Sequence, residues 1–239
     1  MSTTGPLLVV AGEASGDQHA ARLLGELCRR YPDLEAFGLG GDELQAAGLE
    51  SIAHSREISV VGITEVLKIL GRARELFAQL LEECDRRRPR AALLVDFPDF
   101  NLRLARELHR RGVPVIYYVS PQIWAWRRGR VEQIARHVAR MLVLFPFEVD
   151  FYRQHGVEVV HVGHPLVDEV PQVESVWDRE TPGAESPLRL ALLPGSRNSE
   201  VEALLPPMLD AVERMARKRP VEARLILAPS VDRARVDAL

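Results

Sequence analysis

The stretch Leu7-Leu8-Val9-Val10-Ala11-Gly12-Glu13-Ala14-Ser15-Gly16-Asp17 settles the fold class. Residues 7–11 are apolar without a break, as a strand buried on both faces requires. Glycine ends the run, and a helical pattern then extends from Asp17 to Arg30. A strand that feeds directly into a helix opens a βαβ unit. It predicts an α/β protein with a parallel sheet covered on both faces.

The same alternation continues outward from this stretch. Ala36–Leu39 reads as a strand and Asp42–Ala47 as a short helix, and a long helical pattern runs from about Ile63 to Arg87. Strands follow at Ala91–Val95, Val115–Val119, Met141–Leu144 and Val157–Val162, separated by helices at Leu102–Arg111, Val131–Ala139 and Glu148–His155. From Asp168 to Pro187 the chain turns acidic, with three prolines and no apolar periodicity, which marks a linker. A second unit then begins with a strand at Leu188–Leu193, a turn at Pro194–Arg197, a helix at Asn198–Lys218 and a strand at Ala223–Ala228. We therefore expect a Rossmann-like domain over 1–167, a linker over 168–187 and, over 188–239, the start of a second Rossmann-like domain. A lone βαβ unit cannot bury both faces of a sheet, so that second domain reads as unfinished.

The bulk numbers set limits on function. The 239 residues are 46% hydrophobic and 27% charged, an ordinary core-forming balance. A net charge of −3 argues against coating nucleic acid. Cys28 and Cys84 cannot build a disulfide framework, and with neither a signal peptide nor about 18 consecutive apolar residues the expectation is a reduced, cytoplasmic chain.

Five turns carry candidate chemistry. Gly12-Glu13-Ala14-Ser15-Gly16-Asp17 lacks the dinucleotide fingerprint but leaves a strand at the sheet's carboxyl edge, where open α/β sheets bind ligands. Its two acids suit sugar hydroxyls; as a plain turn it would be capped by Ser15 or Asp17. Asp96-Phe97-Pro98-Asp99-Phe100-Asn101 places a carboxylate directly after a buried strand, where desolvation would raise its pKa and suit it to act as a base. Asp99 there could instead cap the next helix, and two carboxylates with no histidine make a poor metal site. Ser120–Arg128 holds Gln122, Trp124 and Trp126 beside a basic cluster, and the tryptophans and cluster could stack on a sugar or base, bind nucleic acid, or simply pack the loop. Pro194-Gly195-Ser196-Arg197 combines glycine, hydroxyl, helix N-terminus and arginine, the parts of a diphosphate cradle, with Ser199 and Glu202 as a capping box. His164, in Gly163-His164-Pro165, faces the same edge if the strand order is the usual one.

The long helix suggests a surface for lipid. Ile63, Val66, Leu67, Leu70, Phe77, Leu80 and Leu81 share one face, and Ile69 and Leu76 widen it to roughly 200°, against the ~100° that core packing needs. Arg74 falls inside that sector, Val60 and Val61 extend it, and Arg86-Arg87-Arg88-Pro89-Arg90 follows. Both a core helix and a helix entering a bilayer interface fit this pattern; the basic run suits anionic headgroups or a solvated helix end.

Taken in order, Val10–Asp17, Val61–Leu67, Asp96–Asn101, Tyr118–Arg127, Val162–Pro165 and Leu192–Arg197 resemble the lipid-A-disaccharide synthase family of glycosyltransferases over the whole chain. The resemblance implies a GT-B-like fold of two Rossmann-like domains facing a cleft. It implies transfer of 2,3-diacylglucosamine from its UDP derivative to the 6-hydroxyl of 2,3-diacylglucosamine 1-phosphate, with inversion to a β(1→6) bond and no metal. The family's catalytic aspartate falls on Asp96 and its diphosphate-binding arginine on Arg197, beside Gly195 and Ser196. Motifs and resemblance together give a substrate-binding set of Gly12, Glu13, Ser15, Gly16, Asp17, Asn101, Gln122, Trp126 and His164. They also give a lipid-facing set of Val61, Ile63, Val66, Leu67, Ile69 and Leu70, peripheral to the cytoplasmic face of the inner membrane. Family members are longer at the C-terminus, so the chain alone is expected to be inactive. Two other readings remain: a different UDP-N-acetylglucosamine-using GT-B transferase or epimerase, and a non-catalytic nucleotide-binding or membrane module.

Overall fold

A computed structural model describes residues 5–58, 66–122, 128–170, 186–228 and 231–239, and the chain divides into two compact units, Met1–Pro171 and Gln172–Leu239. The first unit opens with β1 (Leu7–Ala11), α1 (Ala14–Arg30), β2 (Ala36–Gly40), α2 (Asp42–Ala46) and β3 (Glu50–His54). It continues with α3 (Val66–Arg87), β4 (Ala91–Val95), α4 (Pro98–Arg110), β5 (Val115–Tyr118), α5 (Val131–His137), β6 (Arg140–Val143), α6 (Pro146–Gln154), β7 (Val159–His161) and α7 (Leu166–Glu169). The strands form a seven-stranded parallel sheet in the order β3-β2-β1-β4-β5-β6-β7. The chain moves outward from β1 to β3, then returns to place β4 against the other side of β1. The direction of winding therefore reverses between β1 and β4.

The unbroken apolar runs have a direct structural cause. Successive strand residues point to opposite faces, and both faces are covered. Leu8 and Val10 of β1, with Ala92 and Leu94 of β4, enter one core; Val9 and Ala11, with Leu93 and Val95, enter the other. On the first face the core is completed by Leu76, Leu80 and Cys84 of α3, spaced one turn apart and buried. That half of α3 is thus a core helix. Leu76, which widened the apolar arc, is fully buried, while Arg74 inside the same sector is exposed. Arg87 is taken up within the unit: it pairs with Glu50 and Glu83, and its guanidinium lies 4.8 Å over the Phe37 ring. Val61 and Ile63 lie outside the described residues. Of Val66, Leu67, Ile69 and Leu70, only the backbone is described, at the start of α3.

Helix starts and one strand differ from the sequence reading. The first helix begins at Ala14 rather than Asp17, and the fourth at Pro98 rather than Leu102. First-turn N–H groups need no helical partner, so small and polar residues occupy those turns and apolar periodicity begins only afterwards. Strand β3 carries the sequence Glu-Ser-Ile-Ala-His; at the sheet edge, half-exposed, it needs no apolar run.

The second unit comprises β8 (Leu188–Leu192), α8 (Asn198–Ala216), β9 (Val221–Leu225) and α9 (Arg233–Asp237), with β8 and β9 paired in parallel. Among its described residues, Val201, Leu205 and Val236 form a small buried apolar cluster. Among the described residues, no helix is long and apolar enough to cross a membrane.

Candidate active site

The winding reversal between β1 and β4 leaves a crevice at the sheet's carboxyl edge, the position where open α/β sheets take their ligands. The turns after these two strands meet there. Gly12 follows β1, and a Cβ at that position would lie 2.4 Å from the ring of Phe97, so only glycine admits the aromatic. Asp96 and Phe97 follow β4 with φ of +45° and +49°, in the left-handed region that non-glycine residues rarely enter. Pro98 at the first position of α4 disfavours the right-handed conformation for the residue before it.

Buried polar groups hold this strained turn. The Asp96 carbonyl accepts the Asn101 side-chain amide at 2.8 Å and the Tyr117 hydroxyl at 2.6 Å. The same Asn101 amide donates to the Val95 carbonyl at 3.2 Å, and the Asp96 N–H donates to the Tyr118 carbonyl at 3.0 Å. Asn101 and Tyr117 are fully buried. The amide of Asn101, expected to contact substrate, instead grips the backbone that carries the carboxylate.

The Asp96 carboxyl titrates above the usual aspartate range. Burial is the main cause and the Glu13 charge adds to it, while the Phe97 N–H opposes both. A partly desolvated carboxylate with a second acid nearby holds a proton more readily than an exposed one, which suits a general base. Asp99 lies within the first turn of α4 rather than capping it, and its carboxylate is paired with Arg130.

Around this centre the expected residues separate. Glu13 and Ser15 are exposed at the mouth of the β1 turn, and Gly16 is buried in the first turn of α1. Neither Ser15 nor Asp17 caps α1, whose N-cap is Glu13. Asp17 points elsewhere: buried, it accepts the Gly41 N–H at 2.6 Å and the Glu43 N–H at 3.1 Å, satisfying the start of α2. The pair of acids expected to meet sugar hydroxyls is thus reduced to Glu13. Gln122 is exposed, whereas Trp124 and Trp126 lie outside the described residues. His164 follows β7 with its Nδ1 accepting the Leu166 N–H at 3.2 Å.

The corresponding turn of the second unit is built differently. Gly195 has φ of +132°, and a Cβ there would lie 2.6 Å from the Glu200 carboxylate. That carboxylate accepts the N–H groups of Ser196 at 2.9 Å and Arg197 at 3.1 Å, and pairs with the Arg197 guanidinium at 3.1 Å. These contacts hold the Glu200 carboxyl below its ordinary range, the Ser196 N–H contributing most. Glu200 therefore does the reach-back that was expected of Glu202, because α8 starts at Asn198 with Arg197 as its N-cap. An internal anion occupies N–H groups of the kind a diphosphate would use.

A parallel sheet with a strained carboxylate at its switch point, followed in the chain by a second βαβ unit with a Gly-Ser-Arg turn, defines a protein of the GT-B fold. Solved structures agree on the fold. UDP-GlcNAc 2-epimerase from Neisseria meningitidis bound to UDP-GlcNAc superposes with a TM-score of 0.58 at 9% identity, over 99% of this chain and 69% of that one. The glycotransferase of kitacinnamycin gives 0.54 at 16% identity, over 96% and 70%. The family described as "Lipid-A-disaccharide synthetase" matches residues 7–237, and the chain belongs to that family. The lipid-A-disaccharide synthase of Myxococcus xanthus (strain DK1622) is 51% identical over 233 residues, covering 96% of this chain and 61% of that protein. The chain spans about three fifths of the length of the curated relatives it matches.

Proposed function

We propose that this chain forms part of an inverting transferase that moves 2,3-diacylglucosamine from its UDP derivative to the 6-hydroxyl of 2,3-diacylglucosamine 1-phosphate. The observation that carries the reading is Asp96: a carboxylate with a raised pKa at the sheet switch point, its backbone gripped by Asn101 and Tyr117. In the proposed step Asp96 takes the proton of the acceptor 6-hydroxyl as that oxygen bonds to the donor anomeric carbon. The bond from that carbon to the diphosphate oxygen breaks at the same time, and UDP departs with the electron pair. One displacement inverts the configuration. In this reading Glu13 meets sugar hydroxyls, while Arg197, with Gly195 and Ser196, neutralises the departing diphosphate in place of a metal. Gln122, Trp126 and His164 complete the proposed substrate set. The segment from Val61 to Leu70 is proposed to lie at the inner-membrane surface, where acylated substrates are found.

The test uses a protein of the relatives' full length carrying this segment, assayed for disaccharide formation. The expected result is that Asp96→Asn lowers turnover by ~10²–10⁴-fold with the fold intact. Near-normal turnover would remove Asp96 from the mechanism. Comparing acylated with non-acylated UDP-glucosamine as donor separates this reading from a transferase or epimerase of unacylated sugars.

A further inference from the structure

A cavity of about 450 Å³ opens in the first unit between α1 and the ends of β5, β6 and β7. Its polar lining includes His19 and Arg22, one helical turn apart on α1, with Tyr118, His164 and Asp168. The His19 ring lies 6.3 Å from that of Tyr118 and 6.4 Å from that of His164. Because His164 Nδ1 accepts the Leu166 N–H, the imidazole proton resides on Nε2, leaving that nitrogen as a donor. Tyr118 is largely buried, and the Arg22 charge acts on its hydroxyl. One guanidinium, two imidazoles and a phenol thus share one space. Such a donor set matches a phosphate monoester, which accepts several hydrogen bonds and carries nearly two charges.

The remaining lining narrows the ligand. Leu23, Leu142 and Val162 give the cavity apolar walls, and Asp168 supplies an acceptor for hydroxyl groups. A bare anion would gain nothing from either, whereas a sugar monophosphate uses both. Beyond His164, whose ring lies 5.7 Å from that of Phe145, Phe145 stacks on Phe147 at 5.6 Å. Both phenylalanines are about half exposed, at 44% and 51%. This apolar shelf continues from the cavity and suits an acyl chain. The volume lies within the ~300–1,000 Å³ usual for small-molecule sites.

We propose that this cavity binds the phosphate and adjoining ring of an acylated sugar phosphate, the acceptor of the proposed transfer. The inference rests on that reading, but its test does not need turnover, since the cavity lies within the first unit. The 239-residue chain is titrated with dibutyryl-glucosamine 1-phosphate, with the same sugar lacking phosphate, and with inorganic phosphate, while the His19 and His164 imidazole signals are followed by NMR. The phosphorylated sugar should bind about tenfold or more tightly than either of the others and shift both imidazoles. Arg22→Gln should abolish the preference for the phosphorylated sugar, and Arg22→Lys should retain part of it with an unchanged backbone spectrum. Equal binding of the two sugars, unmoved imidazoles, or full discrimination by Arg22→Gln would each overturn the proposal. So would inorganic phosphate binding as tightly as the sugar phosphate. If Asp96→Asn abolishes transfer in the full-length protein yet the cavity shows no phosphate preference, the transfer reading stands and this one falls. The opposite pair of results keeps the cavity and removes the transfer.

Discussion

The two strand-to-helix turns that carry the proposed chemistry are held by opposite means. After β4, Asp96 sits on left-handed backbone clamped by a buried amide and a buried phenol, neither of which changes charge near neutral pH. After β8, the Gly-Ser-Arg turn is held by the half-exposed carboxylate of Glu200. The units around them differ in the same sense. The first has two cores, one on each face of its sheet, whereas among the described residues the second buries Val201, Leu205 and Val236. A group that must stand at a fixed place to take a proton benefits from a rigid, desolvated mount. A group that meets a charged ligand can be held by an internal anion which that ligand replaces.

The largest expected effects test the roles themselves. In the full-length protein, Asp96→Asn should remove most turnover, and Arg197→Ala should cost ~10²–10³-fold. The two differ in stability. Because the folded pKa of Asp96 is raised, its contribution to stability is full below its unfolded value and is lost as pH rises through the folded one. Ionised Asp96 is therefore a burden at neutral pH. Asparagine tolerates left-handed backbone equally well, so Asp96→Asn should raise the melting temperature, with ~1 kcal/mol worth about 2–4 °C in a chain of this size. A lower melting temperature would mean that the carboxylate supports the turn rather than straining it.

The next effect probes the mount. Gly12→Ala places a methyl group 2.4 Å from the Phe97 ring. Phe97 is fixed between the strained Asp96 and the proline that starts α4, so it cannot yield without moving Asp96. A stability loss of ~1–3 kcal/mol is expected in chemical denaturation, together with loss of turnover. Full activity in Gly12→Ala would show that the ring moves freely and that the mount is softer than its geometry implies.

Smaller changes separate the two clamps. Tyr117→Phe removes one hydrogen bond to the Asp96 carbonyl and should cost ~0.5–1.5 kcal/mol. Asn101→Leu removes bonds to two carbonyls and should cost more. Both clamps meet on one carbonyl, so the double variant should depart from additivity by ~0.5 kcal/mol or more in a thermodynamic cycle. Strict additivity would mean that they act on the turn independently.

Much of this arrangement was legible in the sequence, for reasons visible in particular residues. The apolar runs 7–11 and 91–95 mark strands buried on both faces, and that burial is what makes them unbroken. Asp96 is legible because a carboxylate directly after such a strand has few places to go. Asn101 and Asp17 show where this reasoning stops: each is a polar residue beside a ligand-facing turn, and each is turned inward to satisfy backbone groups. Their residue types suit either use, and only the positions of the Asp96 carbonyl and the Gly41 N–H decide between them. Tyr117 carried no signal because a tyrosine in a strand looks like core. Glu200 was missed because the capping box was read at Ser199-x-x-Glu202, two residues beyond the N-cap at Arg197, although the helix start at Asn198 was legible.

The last comparison is by pH, since the two carboxylates are displaced in opposite directions. The Asp96 carboxyl is pushed above its ordinary range by burial, whereas Glu200 is held below its own by the Ser196 N–H. On acidification each carboxylate takes its proton, and protonation of Glu200 should expose the Ser196 and Arg197 amides that it holds. For Glu200 the sign is that of a depressed acid: its hold on the turn is complete above the unfolded value and is lost as pH falls through the folded one. NMR-detected amide exchange at Ser196 and Arg197, followed alongside the Asp96 carboxyl carbon, resolves both steps in one titration. Glu200→Gln, which keeps an acceptor but loses the charge, should make amide protection at the two residues weaker and independent of acid. Protection in the unaltered chain that does not fall with acid, or that Glu200→Gln leaves at full strength, would show that the turn is held by its own backbone. The contrast with the β4 turn would then rest on burial alone, without the charge of Glu200.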